Sequence, residues 1–230
     1  MVEPGTNLLI GLALLGAGVY GLRFSAAEDK GRVGAAVKTA STGFLALALA
    51  SRSGADGFWL MPLGLALGAL GDLCLALKGE RFFLAGVGAF GLGHLAYAAG
   101  LLWHAGVLGY DGISAGEGLV LAGLILLLVS TEIWLLPRIG TLRGPVRAYV
   151  GLIGLMGLAA LLLPAVPGQH EVRAGAGLFV LSDLMLALHL FVLRDPRMRR
   201  SLSLALWPAY WVGQALIAWG AVVFWGAGPG

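Results

Sequence analysis

Two aspartates stand in nearly the same setting. "GDLCLAL" spans residues 71–77 and "SDLMLAL" spans 182–188, which puts Asp72 and Asp183 111 positions apart. A carboxyl group in apolar surroundings resists ionisation, and a nearby cation opposes that effect. Two such acids can therefore divide the labour of acid/base catalysis, one protonated and one charged. Other polar residues lie in similarly apolar stretches: Lys38, His94, Glu132, His189 and Gln214, with Tyr97, Tyr149 and Tyr210.

Three chemistries use such a set. An intramembrane aspartyl protease shares one proton between two Asp, and its second motif reads Gly-x-Gly-Asp. Here Leu70 replaces the first Gly, and Ser182 stands where the other motif needs Tyr, so the match fails. A multi-histidine metal hydrolase needs clustered ligands. Only His94 and His189 fall well inside apolar stretches, with no His-x-x-x-His pair, so no metal and no cofactor are expected. The third is metal-free hydrolysis of a lipid bond, with one carboxyl protonating and the other activating water.

These groups need elements to hold them, and the composition says which. Of the 230 residues, 59% are apolar and 12% charged, against about 25% charged in soluble domains. The 38 glycines follow no triplet period and fit close helix approach in a bilayer. The single Cys74 forbids an internal disulfide. Residues 1–6 carry Glu3 rather than a basic start, so the first apolar run reads as a retained helix, not a leader. Eight spans are expected: 7–22, 33–50, 57–77, 82–104, 117–136, 145–165, 171–193 and 204–227. Pro62, Pro137, Pro145, Pro164, Pro167 and Pro208 fall near their ends. No loop is long enough for a soluble domain, so residues 1–230 read as a single transmembrane domain.

Thirteen of the fifteen basic residues fall on one side of this map; Arg52 and Arg173 are on the other. The positive-inside rule then puts both termini outside and the basic loops in the cytoplasm. The net charge of +3 reflects that topology and anionic headgroups, not nucleic acid. Asp72 and Asp183 fall on helices running in the same direction, which makes residues of the two halves readable as parallel four-helix repeats. Lys38 precedes Asp72 by 34 residues, and Tyr149 precedes Asp183 by 34.

At 1.5 Å per residue, Lys38 and Asp72 lie roughly 8 Å from their cytoplasmic ends, Asp183 roughly 15 Å and His94 roughly 18 Å. A shared pocket toward the inner leaflet is expected, with Asp72 shallow and Asp183 deep. Helical spacing joins Lys38 with Ser41 and Thr42, His94 with Tyr97, and Tyr210 with Gln214. His189 is roughly 120° around the helix from Asp183, so the two are not expected to act together. Glu132 is expected to pair with Arg138 or Arg147.

"KTAST", "GALGDLCLAL", "FLAGVGAFGLGHLAY", "AYVGLIGLM", "GAGLFVLSDLMLAL" and "AYWVGQALI" together resemble the ordered blocks of the lysoplasmalogenase-like (YhhN) membrane proteins. One departure is Thr39, where members often have Pro after the Lys. The resemblance implies an all-α, eight-helix enzyme that hydrolyses the vinyl-ether bond of lysoplasmalogens. It implies a polar site of Lys38, Asp72, His94, Tyr97, Tyr149, Ser182, Asp183 and Gln214, with a lysophospholipid as substrate. The implied setting is a bacterial inner membrane, with the site in its cytoplasmic half. Cleavage would begin with protonation at carbon, leaving an oxocarbenium ion that water attacks. Asp183 is assigned as the acid and Asp72, beside Lys38, as the ionised partner, although the reverse assignment also satisfies the sequence. The competing readings are hydrolysis of another ether lysolipid, lipid binding or transport, and a membrane scaffold. Headgroup preference and oligomeric state are not encoded in any motif.

Overall fold

The structure, a computed structural model, describes residues 4–27, 29–52, 57–109 and 112–226. Glu3 and the last residue of the expected span 204–227 lie outside them. The described residues form eight helices and no strand. They are α1 (Pro4–Arg23), α2 (Gly31–Ala50), α3 (Leu60–Ala76), α4 (Glu80–Leu108), α5 (Ala115–Trp134), α6 (Arg143–Leu161), α7 (Gln169–Ala187) and α8 (Pro196–Gly226). Two short 3-10 turns join α5 to α6, and a π-helical turn, Leu188–Val192, continues α7.

Seven of these helices are long and apolar enough to cross a membrane. The eighth, α3, has 17 residues, the lower limit for a span of the hydrocarbon core. Its expected start at 57 is three residues early, because the chain first makes a turn at Gly57, whose φ is +86°. The outward surface is apolar: Leu22 is 95% exposed and Ile133 78%. Such a surface would aggregate in water but costs nothing against lipid tails. The protein is an integral membrane protein.

The long helices overrun the bilayer. At 31 residues α8 is about 46 Å long, against a hydrocarbon core of about 30 Å. Its first two turns carry Arg197, Arg199 and Arg200 beyond the apolar region. The expected start at 204 is therefore eight residues late, since hydropathy marks the apolar part of a helix and not its polar extension. It follows that Pro208 lies inside α8 rather than near its end. There it removes one backbone hydrogen bond and favours a bend.

Glycine sets the tightest contacts. A Cβ on Gly175 would lie 2.7 Å from the Gly213 carbonyl oxygen, and one on Gly213 2.9 Å from that of Gly175. The same reciprocal approach joins Gly168 and Gly220. These two points bring the backbones of α7 and α8 together along their length. At the other face Gly64 of α3 receives the ring of Tyr97, so α3 and α4 are equally close. Small residues at helix interfaces serve this purpose in membranes, where water does not drive helices together.

Candidate functional site

The site is assembled on α2, α3, α4, α6, α7 and α8. Asp72 is buried, with its side chain fully hidden. Lys38 on α2 places Nζ 2.7 Å from Oδ1, a charge contact rather than an aligned hydrogen bond. Two hydroxyls donate to Oδ2: Tyr210 at 2.9 Å and Thr42 at 3.2 Å. The Lys38 ammonium also lies 5.5 Å from the ring centre of Tyr210 and 5.9 Å from that of Trp207, within cation–π range. Removal from water is costly for both ions, and this set of partners offsets that cost.

The hydroxyl chain continues inward. Tyr97 donates to Oε1 of Gln214 at 2.5 Å, and Nε2 of Gln214 donates to the Tyr210 hydroxyl at 3.4 Å. Gln214 is fully buried and Tyr97 nearly so. A Cβ on Gly68 would collide with Gln214, so the absence of a side chain there makes room for the amide.

Asp183 has a different environment. The Tyr149 hydroxyl donates to its Oδ2 at 3.1 Å, and Nε2 of His94 lies 3.3 Å from the same oxygen. The His94 ring is fixed from the other side, since Nδ1 is 2.6 Å from the Phe90 carbonyl. A carbonyl oxygen only accepts, so Nδ1 carries the hydrogen. In the neutral ring Nε2 then presents a lone pair toward Asp183. Two acceptors that close repel unless a proton lies with one of them. A proton on either atom would lie between the two groups. Nε2 has no aligned hydrogen-bond partner.

One apolar cleft, of about 90 Å³, reaches Asp183. Its walls come from α3 to α7, with Leu127, Leu128 and Trp134 of α5 on one side and Val180, Leu184 and Phe191 on the other. Asp183 and Tyr149 line it; Asp72 and Lys38 do not. The expected pocket common to both acids is thus two adjoining groups. Phe90 lies between them: its ring lines the cleft and packs edge-on against Tyr210 at 5.8 Å and Phe179 at 6.4 Å. The expected depths also fail to rank accessibility. Asp72, read as shallow, is the hidden acid, while the side chain of Asp183 is 10% exposed. Position along a helix axis does not report which face the neighbours cover.

The spacing of 34 residues corresponds to contact in both halves, with Lys38 on Asp72 and Tyr149 on Asp183. Each half also lends its last helix to the other's acid: α4 supplies His94 to Asp183, and α8 supplies Tyr210 to Asp72. Ser182 is buried but donates to its own helix carbonyl at Phe179, as Ser41 does at Lys38. Glu132 pairs with Arg147 by two hydrogen bonds at 2.7 and 2.6 Å, outside the site. His189 contacts Arg199 and Ser203, away from Asp183. Among the described residues, no group of three His, Cys, Asp and Glu comes together as a metal site would need. Phe90 and Phe179, which clamp His94 by carbonyl and ring, had no signal in the sequence beyond the i−4 spacing of Phe90.

Comparison with known proteins bears on this arrangement. A lysoplasmalogenase of Homo sapiens is 31% identical over 167 residues, covering 70% of this chain and 64% of its own. A lysoplasmalogenase of Mycobacterium bovis is 31% identical over 182 residues, covering 76% of this chain and 64% of its own. The chain thus spans about 64% of the length of these curated relatives. No solved structure matches. Residues 33–221 match the YhhN family, a stretch that contains all of the polar groups described above, and the chain belongs to that family.

Proposed function

We propose that the protein hydrolyses the vinyl-ether bond of lysoplasmalogens, releasing a fatty aldehyde and a glycerophospho-headgroup. The observation that carries this reading is the position of Asp183, at the polar end of an otherwise apolar cleft and 3.3 Å from Nε2 of His94. The single alkenyl chain of a lysolipid suits a cleft walled by Leu, Val, Ile and Phe. The names of the curated relatives support the same substrate class.

The step balances with the residues at hand. The proton of the Asp183–His94 pair goes to the second carbon of the alkenyl chain, and the double-bond electrons form that new C–H bond. The first carbon, bonded to the ether oxygen, becomes an oxocarbenium ion. The pair, now one proton short, takes a proton from water as its oxygen attacks that carbon. The hemiacetal collapses to aldehyde and alcohol as its hydroxyl proton is passed to the leaving alcohol oxygen. Tyr149 steadies the carboxyl. Asp72 stays ionised beside Lys38 and stabilises the cation from behind Phe90. Lys38, Tyr97 and Gln214 hold Asp72 and Tyr210 in place rather than meeting the chain. The whole chain, 1–230, acts as one domain in a bacterial inner membrane, with the basic loops in the cytoplasm and the site in the cytoplasmic half.

The test is aldehyde release from a lysoplasmalogen by the purified chain in D2O. One deuterium should appear on the second carbon of the aldehyde, and Asp183→Asn should abolish release without loss of folding. Lysolipid that is moved between leaflets but chemically unchanged would favour transport instead. Full activity of both Asp183→Asn and Asp72→Asn would overturn the mechanism.

A further inference from the structure

A second cleft lies at the basic end of the bundle, and the hydrolytic reading does not use it. The end of α1, the connection to α2, the π turn after α7 and the start of α8 form its walls. Arg23, Lys30, His189, Arg197, Arg199 and Arg200 all line it. Among the described residues, no carboxylate forms an ion pair with any of the five Lys and Arg. The two described acids nearest in sequence are turned onto backbone instead. Asp29 accepts from the Gly31 amide at 2.9 Å, and Asp195 from the Arg197 amide at 2.8 Å.

His189 is held neutral by its neighbours. The Arg199 guanidinium can only donate, and it lies 3.4 Å from Nε2. Nδ1 therefore carries the hydrogen and faces the Ser203 hydroxyl at 3.3 Å. The ring thus positions Arg199 without adding to the repulsion. Two helices begin at this cleft, α2 and α8, and two end at it, α1 and α7, so the helix dipoles offset one another and the positive field comes from the side chains. Desolvation first, and then the charge of Lys38, push the Lys30 amine down to about 8. The positive-inside rule explains why these cations lie on one side of the membrane. It does not explain why they converge on one concavity while the two described carboxylates nearest in sequence bond to backbone amides.

We propose that this cleft binds a phosphate group, supplied either by a phospholipid headgroup or by free phosphate in solution. The planar guanidinium fork of Arg matches phosphate oxygens two at a time, and three such forks are present at the start of α8. The site is separate from the Asp183 cleft and does not depend on what that cleft hydrolyses.

Two measurements on the full chain test it. In neutral detergent, inorganic phosphate is titrated while thermal unfolding is followed, with chloride at equal ionic strength as the control. In nanodiscs of phosphatidylcholine with or without phosphatidylglycerol, retained lipid is counted by native mass spectrometry. Each is repeated with the Arg197→Gln/Arg199→Gln variant and, separately, with Lys30→Gln. All three residues are exposed, so these variants are expected to fold. Saturable stabilisation by phosphate, weakened about tenfold or more in the variants, identifies free phosphate as sufficient. Retention of phosphatidylglycerol that the variants lose, with no effect of free phosphate, identifies the lipid headgroup. Equal behaviour of wild type and both variants in both measurements overturns the proposal.

Discussion

Replacing Lys38 by Met removes one charge of a buried pair and keeps a stem of similar length. Asp72 then faces only the Thr42 and Tyr210 hydroxyls, with its side chain wholly hidden. An ion left without its partner in such a place typically costs about 3–5 kcal/mol. At about 2–4 °C per kcal/mol for a chain of this size, the melting temperature should fall by about 6–20 °C. Adding Asp72→Asn removes the stranded charge while Asn still accepts from both hydroxyls. Replacement of a whole ion pair is often nearly neutral, so the double variant should recover most of the loss. The assay is thermal unfolding of wild type, both single variants and the double variant in one detergent, with aldehyde release measured in parallel. Stability should return in the double variant and activity should not, since an ionised Asp72 is part of the mechanism. Strictly additive losses would refute the reasoning, because they would mean that Lys38 and Asp72 do not sense each other.

His94→Asn should keep a donor to the Phe90 carbonyl but lose the lone pair facing Asp183; kcat should fall about a hundredfold or more with KM little changed, and a near-normal kcat would remove His94 from proton transfer. Gly175→Ala forces a Cβ against the Gly213 carbonyl oxygen and the Ile217 amide nitrogen, so α7 and α8 must separate; a loss of about 1–3 kcal/mol is expected, measured as a drop in unfolding temperature, and an unchanged temperature would show that the contact yields freely. Lys30, with its pKa lowered to about 8, is deprotonated well below an ordinary lysine; across roughly pH 8 to 10.4 it should outreact the lysine of a short model peptide added to the same reaction with an amine-specific reagent, as read by peptide mass spectrometry, and equal rates across that window would contradict the lowered value.

The sequence legibly encoded the parts of this protein that follow from solvent and from local spacing. Apolar runs gave the eight helices, because lipid-exposed backbone must satisfy its own hydrogen bonds and lipid-facing surface carries no charge. Their ends were less legible. The polar first turns of α8 escape a hydropathy reading, and Pro208 was misplaced as a result. Spacing placed Thr42 one turn from Lys38 and Tyr210 one turn from Gln214, and both turns persist in the hydrogen bonds to Asp72 and between the two side chains. The 34-residue interval between Lys38 and Asp72, and again between Tyr149 and Asp183, held as contact in both halves.

What the sequence by itself determined is that two acids lie within a membrane, each with a polar partner at a fixed interval. Only the tertiary structure decided their environments. The pairings of His94 with Asp183 and of Tyr210 with Asp72 cross between the two halves, so no local interval encodes them. Whether an acid faces a cleft or is sealed off depends on which neighbouring helix covers it. Here Phe90 and Tyr210 help to seal in Asp72, while the α5–α6–α7 cleft leaves Asp183 partly open. Two nearly identical heptapeptides thus hold one enclosed, charge-paired carboxylate and one cleft-facing acid, because burial and electrostatics are properties of surroundings rather than of sequence.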